Sequence, residues 1–168
     1  VTIVNNMPSV PNAGRDIAVC VDSVTLSGSL DVYHTGEWSL ISGSGTIEDP
    51  TKPDTKVTNL GQGENKFRWT ITNGNCSDFD DVIIRNDFKE AVIRYDASTP
   101  LCVDTTVLEA NNPLPGVGTW GVIGGSGSAE FVDPEDPYTV VRNLQQGENL
   151  LTWTITNGNC SHTDEVVI

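Results

Sequence analysis

Trp69-Thr70-Ile71-Thr72-Asn73-Gly74-Asn75-Cys76-Ser77 recurs without change as Trp153-Thr154-Ile155-Thr156-Asn157-Gly158-Asn159-Cys160-Ser161, 84 residues further along a chain of 168. The stretch reads as one strand and the turn that follows it. Trp69 and Ile71 alternate with Thr70 and Thr72, so the large apolar groups share one face. Asn73-Gly74 reads as the pair of positive-φ residues of a tight hairpin, and Cys76 opens the returning strand. The chain is therefore a tandem repeat, each unit built on a hairpin that carries a tryptophan and a cysteine.

Other positions recur in order. Cys102 answers Cys20 and Trp120 answers Trp38, both 82 residues on. Gly125-Ser126-Gly127 answers Gly43-Ser44-Gly45, and Asp133-Pro134 answers Asp49-Pro50. Leu144 and Gly147-Glu148-Asn149 answer Leu60 and Gly63-Glu64-Asn65. The spacing grows from 82 to 84 between Gly127 and Asp133, which places a two-residue insertion in a loop.

Sixteen glycines and nine prolines are spaced as turn signals, and no ten-residue stretch has helical periodicity. In unit one the expected strands are Ile17 to Cys20, Ser23 to Ser29, Gly36 to Leu40, Thr46-Ile47, Thr55 to Val57, the Trp69 strand and Asp81 to Arg85. About seven strands at this spacing predict an immunoglobulin-like sandwich, so the expected fold is all-β, two such domains in tandem. The expected boundaries are 7–87 and 88–168, with a linker near 87–99. Val1 to Asn6 resembles Val82 to Asp87, so residues 1–6 read as the terminal strand of a preceding repeat or as linker. On that reading the chain is a window on a longer array.

The net charge is −14 and is shared by both halves, with twelve acids against six bases in residues 1–87 and eleven against three in 88–168. Such a surface repels phosphates, which argues against nucleic acid and against anionic membrane surfaces. No segment is apolar enough for membrane insertion, and no signal peptide is visible. Four cysteines at matched positions imply disulfides and an oxidising compartment.

Ala13-Gly14-Arg15-Asp16, Cys20, Leu26, Gly36-Glu37-Trp38, Ser42 to Thr46, Pro53, Val57, Leu60, Gly63-Glu64-Asn65, Trp69 to Gly74, Cys76 and Asp81-Val82 together resemble the PKD-like, immunoglobulin-like repeats of giant Bacteroidota cell-surface adhesins, SprB-type gliding-motility adhesins among them. The resemblance spans both units. Unit two departs from it at Tyr95-Asp96-Ala97-Ser98, where unit one has Ala13 to Asp16. It implies type IX secretion, an extracellular location on a bacterial cell surface, and a structural stalk role linked to gliding or attachment. Neighbouring repeats of the same chain would be the partners. The alternative is a binding module whose repeats touch a surface glycan or a protein.

Few residues suggest chemistry. Trp38, Trp69, Trp120 and Trp153 sit on alternating apolar faces, so core filling is favoured over a sugar platform. His34 and His162 are not repeat-matched and have no nucleophile at a catalytic spacing; both are expected in exposed loops, and no enzyme is expected. Asp78, Asp80, Asp81 and Asp87 are the only metal candidates. Clustered carboxylates could hold Ca²⁺, but no loop has the alternating spacing of a calcium loop, so no cofactor is expected. Asp22-Ser23-Val24 and Asp104-Thr105-Thr106 resemble the short O-glycosylation signal of Bacteroidota, which makes Ser23 and Thr105 candidate glycan sites. Unit two has no lysine after Lys89, so no internal Lys–Asn isopeptide bond can cross its core.

Matched recurrence favours one bridge inside each unit, Cys20–Cys76 and Cys102–Cys160. Immunoglobulin wiring objects, because its first strand runs parallel to its last and would carry Cys20 away from Cys76. The alternative is Cys20–Cys160 across the junction, with Cys76 and Cys102 left for flanking repeats.

Overall fold

The computed structural model describes residues 5–96, 101–123 and 128–168, and all its regular structure there is strand. The chain divides into two compact units between Asp87 and Phe88. Unit one holds β1 (Ile17–Val19), β2 (Val24–Thr25), β3 (Thr35–Ser42), β4 (Thr46–Ile47), β5 (Lys56–Thr58), β6 (Gly63–Asn73) and β7 (Cys76–Asn86). One sheet has the order β1-β7-β6-β3, the other β2-β5-β4. Unit two holds β8 (Thr106–Val107), β9 (Val117–Ile123), β10 (Glu130–Phe131), β11 (Val140–Arg142), β12 (Leu150–Asn157) and β13 (Cys160–Val167), in sheets β13-β12-β9 and β10-β11-β8. Each unit is thus a two-sheet sandwich of immunoglobulin-like wiring. Val1 to Val4, Ala97-Ser98 and Gly125 to Gly127 lie outside the described residues.

Strand β6 shows why the repeat folds as it does. Asn65, Phe67, Trp69 and Ile71 are buried, while Lys66, Arg68, Thr70 and Thr72 between them are half-buried on the outer face. Trp69 pairs with Trp38 across the β3–β6 ladder, and Trp153 pairs with Trp120 across β9–β12. The ring centroids stand 5.0 Å apart in unit one and 5.1 Å apart in unit two. The tilted rings fill each core beside Phe67, Ile71, Val57 and Val82 in unit one, and beside Leu151, Ile155, Val141 and Leu108 in unit two. Trp38 Nε1 donates to Pro53 O at 3.1 Å, Trp69 Nε1 to Ser29 O at 2.6 Å and Trp120 Nε1 to Asp136 O at 3.0 Å.

A glycine opposes each central tryptophan. A methyl group on Gly36 or Gly118 would lie inside the indole of Trp69 or Trp153. The absence of a side chain on β3 and β9 is what lets the ring lie flat against the neighbouring backbone.

The hairpin differs from the expectation in one detail. Asn73 pairs with Cys76, so the two turn residues are Gly74 and Asn75 rather than Asn73 and Gly74. Gly74 alone has positive φ, at 60°, and Gly158 repeats it at 57°. That is the turn with glycine at its first central position. Strand β2 is also shorter than Ser23 to Ser29. The backbone bonding nevertheless continues, from Leu26 N to Thr55 O and from Gly28 N to Pro53 O, both at 2.8 Å.

The recurring Gly-Glu-Asn corner has a structural explanation. Asn65 is buried at the start of β6, and its Nδ2 donates to Gly61 O at 2.8 Å, Gly63 O at 3.1 Å and Ile84 O at 3.2 Å. Its Oδ1 accepts from Ser44 N at 2.9 Å. Asn149 repeats the stitch to Gln145 O, Gly147 O and Ile168 O. Each amide thus satisfies carbonyls that the turn would otherwise bury without partners.

Gly36→Ala should destabilise unit one by on the order of 3 kcal/mol, because the paired indoles leave no room for the ring to retreat. Ser39→Ala, on the exposed face of the same strand, should be nearly neutral. Urea unfolding followed by tryptophan fluorescence reads both, and equal midpoints would refute the packing argument.

Candidate functional site

The cysteines do not pair within units. Cys76 and Cys102 are free and exposed, whereas Cys20 and Cys160 are disulfide-bonded. Cys20–Cys76 and Cys102–Cys160 are therefore both corrected. For Cys20–Cys76 the reason is the register of β1 on β7. The two strands are parallel, and Val19 pairs with Asn86. Cys76 lies at the opposite end of β7, about 33 Å away at the rise of an extended strand. A disulfide needs Cα atoms within about 7 Å.

The carboxylates considered for calcium point to different partners. Asp81 lies on the outer face of β7, where Arg68 Nε reaches its Oδ1 at 2.7 Å and Arg68 Nη2 reaches its Oδ2 at 3.1 Å. Lys66 Nζ stands 2.7 Å from the same Oδ2. The Arg68 guanidinium also lies 3.5 Å over the Phe79 ring. The hydrogen bonds from Arg68, joined by Lys66, hold the Asp81 carboxyl well below the usual range, at about 2, although burial opposes them. Asp80 Oδ2 instead accepts from the backbone N–H of Ala13 at 2.8 Å. Asp164 does the same for Ile93 at 2.7 Å in unit two. Asp78 Oδ1 accepts from the next residue, Phe79, and Asp87 pairs with Arg85 at 3.0 Å. Among the described residues no three His, Cys, Asp or Glu side chains come together as a metal cluster.

Sequence reasoning took Asp80 only as a metal candidate and missed the role that it shares with Asp164. Each clamps the lead-in of its unit to the last strand, and their matched position in the two units was the available signal.

Both histidines are packed, not exposed in loops. His162 lies on β13, accepts at Nδ1 from Ala91 N at 3.0 Å and stacks edge-on with Phe88 at 5.5 Å. His34 is in a loop, but Ser9 Oγ stands 3.3 Å from its Nδ1 and its side chain is 10 % exposed. Strand alternation accounts for His162, since it shares the parity of Asp164 and Val166, which are also half-buried.

The glycan candidates occupy matched turns ahead of β2 and β8. Ser23 is half-buried; Thr105 is exposed and donates to Asp104 Oδ1 at 3.1 Å. The backbone oxygens of Asp22 and Asp104 accept from Leu60 N and Leu144 N at 2.9 and 3.0 Å, so both segments are turns that brace the Leu60 and Leu144 corners. All four tryptophans are buried, which removes the sugar platform. The most exposed apolar groups of unit one lie instead outside its strands: Val32 and Tyr33 are 89 % and 86 % exposed, and Met7 and Val10 are largely exposed on the lead-in.

No protein family matches the chain, and no curated protein does. Solved structures do. Hemolin, an insect immune protein with a domain arrangement that bears on homophilic adhesion, aligns over 98 % of this chain and 47 % of its own, at 10 % identity and a TM-score of 0.55. Extracellular domains 3–5 of Drosophila OTK align over 94 % of this chain and 59 % of theirs, at 12 % identity and a TM-score of 0.49. A titin fragment aligns over 95 % of this chain and 97 % of its own, at 12 % identity and a TM-score of 0.41. The chain spans about half of hemolin. The hemolin likeness agrees with the strand order described above: the chain is two immunoglobulin-like β-sandwiches in tandem.

Asp81→Asn should lower stability at neutral pH and not in strong acid. The folded carboxyl titrates at about 2, below its ordinary 3.8, so its contribution is complete above about pH 4 and disappears as pH falls towards 2. Denaturation midpoints of the two proteins should therefore converge over that window. A gap that stays constant from pH 7 to pH 2 would contradict the assignment.

Proposed function

We propose that this chain is a non-enzymatic spacer segment of a secreted bacterial surface protein, built to hold repeats in series. Tandem immunoglobulin-like sandwiches with disulfide-bonded cysteines fit an extracellular adhesion protein. The resemblance of the Trp69 to Ser77 and Gly63 to Asn65 motifs to Bacteroidota adhesin repeats refines this to the stalk of a gliding or attachment adhesin, exported by type IX secretion. One observation carries the reading. The residues that recur between units are spent on the fold: the tryptophans in the cores, Asn65 and Asn149 in the corners, Asp80 and Asp164 on the lead-ins. Among the described residues, the tryptophans, asparagines and aspartates that recur are taken up by packing and by backbone hydrogen bonds. The acidic surface suits a spacer, since like charges keep neighbouring stalks apart.

A binding role is the second reading, and the exposed Val32-Tyr33 loop favours it, because exposed aromatics mark contact surfaces. Beads coated with the chain separate the two. A spacer leaves the beads unattached to polysaccharide-coated glass and to cells. Attachment that Tyr33→Ser abolishes would move the function to that loop and contradict the spacer reading.

A further inference from the structure

We propose that the outer face of the β10-β11-β8 sheet in unit two is where two copies of this chain pair, face to face about a two-fold axis. The inference concerns how copies meet and does not rest on the spacer reading.

Strand alternation sets which residues form this face. Val141 and Leu108 are buried inside the sandwich, so Val140 and Val107 point outward. Val140 pairs with Val107 across the β11–β8 ladder, and Val132 N donates to Val140 O at 2.9 Å. The three valines therefore form one row across the sheet. Tyr138 lies on the same side, two residues before Val140. Val107, Val132 and Tyr138 are 62 %, 58 % and 59 % exposed.

Unit one shows that the fold does not ask for this row. The residues at the same four places are Thr25, Glu48, Asp54 and Lys56, and they line one hollow on the outer surface of the β2-β5-β4 sheet. The wiring beneath them is the same: Glu48 N donates to Lys56 O at 2.9 Å, and Val24 and Thr25 pair with β5. One sandwich thus stands with polar and charged groups where the other exposes valines and a tyrosine. An apolar surface that the fold can do without marks a contact.

The charges at the two ends of the row choose the occupant. Arg142, two residues beyond Val140, replaces Thr58 and is exposed. Among the described residues it has no ion pair within 4.0 Å. It is one of only three bases against eleven acids in residues 88–168. At the other end, the turn between β10 and β11 has Glu135 and Asp136 where unit one has Thr51 and Lys52. The Lys52–Asp49 ion pair of unit one, at 3.5 Å, is thereby lost, and the turn becomes wholly acidic. Each face is then basic at one end, apolar in the middle and acidic at the other.

Such a face complements itself. A two-fold axis running across the strands, between the paired sheets, reverses the strand direction of the second copy. It stacks valine row on valine row and sets Arg142 of each copy over the acidic turn of the other, so the same charge contact forms twice. Over the rest of the surface the shared negative charge holds copies apart. Pairing would bury roughly 1,000 Å² in all, at the low end of specific interfaces, so the contact is weak and forms at high local concentration.

Sedimentation equilibrium of the intact chain tests this, with the exposed thiols Cys76 and Cys102 capped by iodoacetamide so that no new disulfide contributes. The mean mass should rise towards that of a dimer as the chain approaches about 1 mM, the affinity range of a small interface. A chain that stays monomeric throughout overturns the proposal. Arg142→Glu and Asp136→Lys should each weaken the dimer by about tenfold or more, because each sets like charges together twice. Unit one already folds with lysine at the second of these places. Mixed in equal amounts, the two variants should recover the dimer, since in the mixed pair both contacts again join opposite charges. A mixture that associates no better than either variant alone overturns the two-fold arrangement. Val107→Thr combined with Val132→Thr and Tyr138→Thr changes no charge and should abolish pairing, whereas Tyr33→Ser should leave it unchanged. The reverse pattern would put the contact on the Val32-Tyr33 loop and overturn the proposal. Attachment of beads to glass or cells does not depend on pairing, so the spacer reading and the paired face fail separately.

Discussion

Each sandwich depends on a pair of indoles packed about 5 Å apart across neighbouring strands, with a glycine cleared away opposite one of them. An 84-residue unit buries little surface relative to its length, so two large rings supply a disproportionate share of its apolar contact. Their demands reach outward. Trp69 needs the Ser29 carbonyl, which fixes the loop after β2, and Trp38 needs the Pro53 carbonyl, which fixes the loop before β5. Trp153 Nε1 has no hydrogen-bond partner among the described residues, so the second unit retains the packing of the pair without all of its polar anchoring there.

Around that pair the matched polar residues act on backbone, not on each other. Asn65 and Asn149 close the corners, Asp80 and Asp164 hold the lead-ins, and Thr55 and Thr139 accept at Oγ1 from Asp49 N and Asp133 N, both at 3.0 Å. Buried backbone groups must find partners, and short side chains at fixed positions supply them. The unmatched residues are of another kind. Arg68, Asp81 and Lys66 form their ion cluster in unit one, while Thr152 and Glu165 face each other at that place in unit two. A surface cluster of this sort is free to differ because the fold does not rest on it.

Sequence periodicity was enough for the hairpin, the tandem organisation and the burial of the tryptophans, because alternation is a property of each strand alone. The turn residues were misplaced by one, since Asn-Gly and Gly-Asn both fit the string Asn73-Gly74-Asn75 and only the pairing of Asn73 with Cys76 decides between them. The cysteine pairing depended on whether β1 runs parallel to β7, a non-local fact to which matched recurrence is blind. Asp80 read as one member of an acidic run. Its role emerges only when Ala13, 67 residues earlier, is brought to it. His162 looked like a loop residue because its neighbours are polar, and the strand that carries it only alternates exposed with half-buried residues from Ser161 to Val167.

Recurring residues build the sandwiches in this account, and of the four cysteines it places Cys20 and Cys160 in a disulfide-bonded state and leaves Cys76 and Cys102 as exposed thiols. Thiol labelling of the native, unreduced chain tests that division most directly. Maleimide added without reductant and read by peptide mass should modify Cys76 and Cys102 and leave Cys20 and Cys160 unmodified. Protection of Cys76 or Cys102, with label on Cys20 or Cys160, would contradict it.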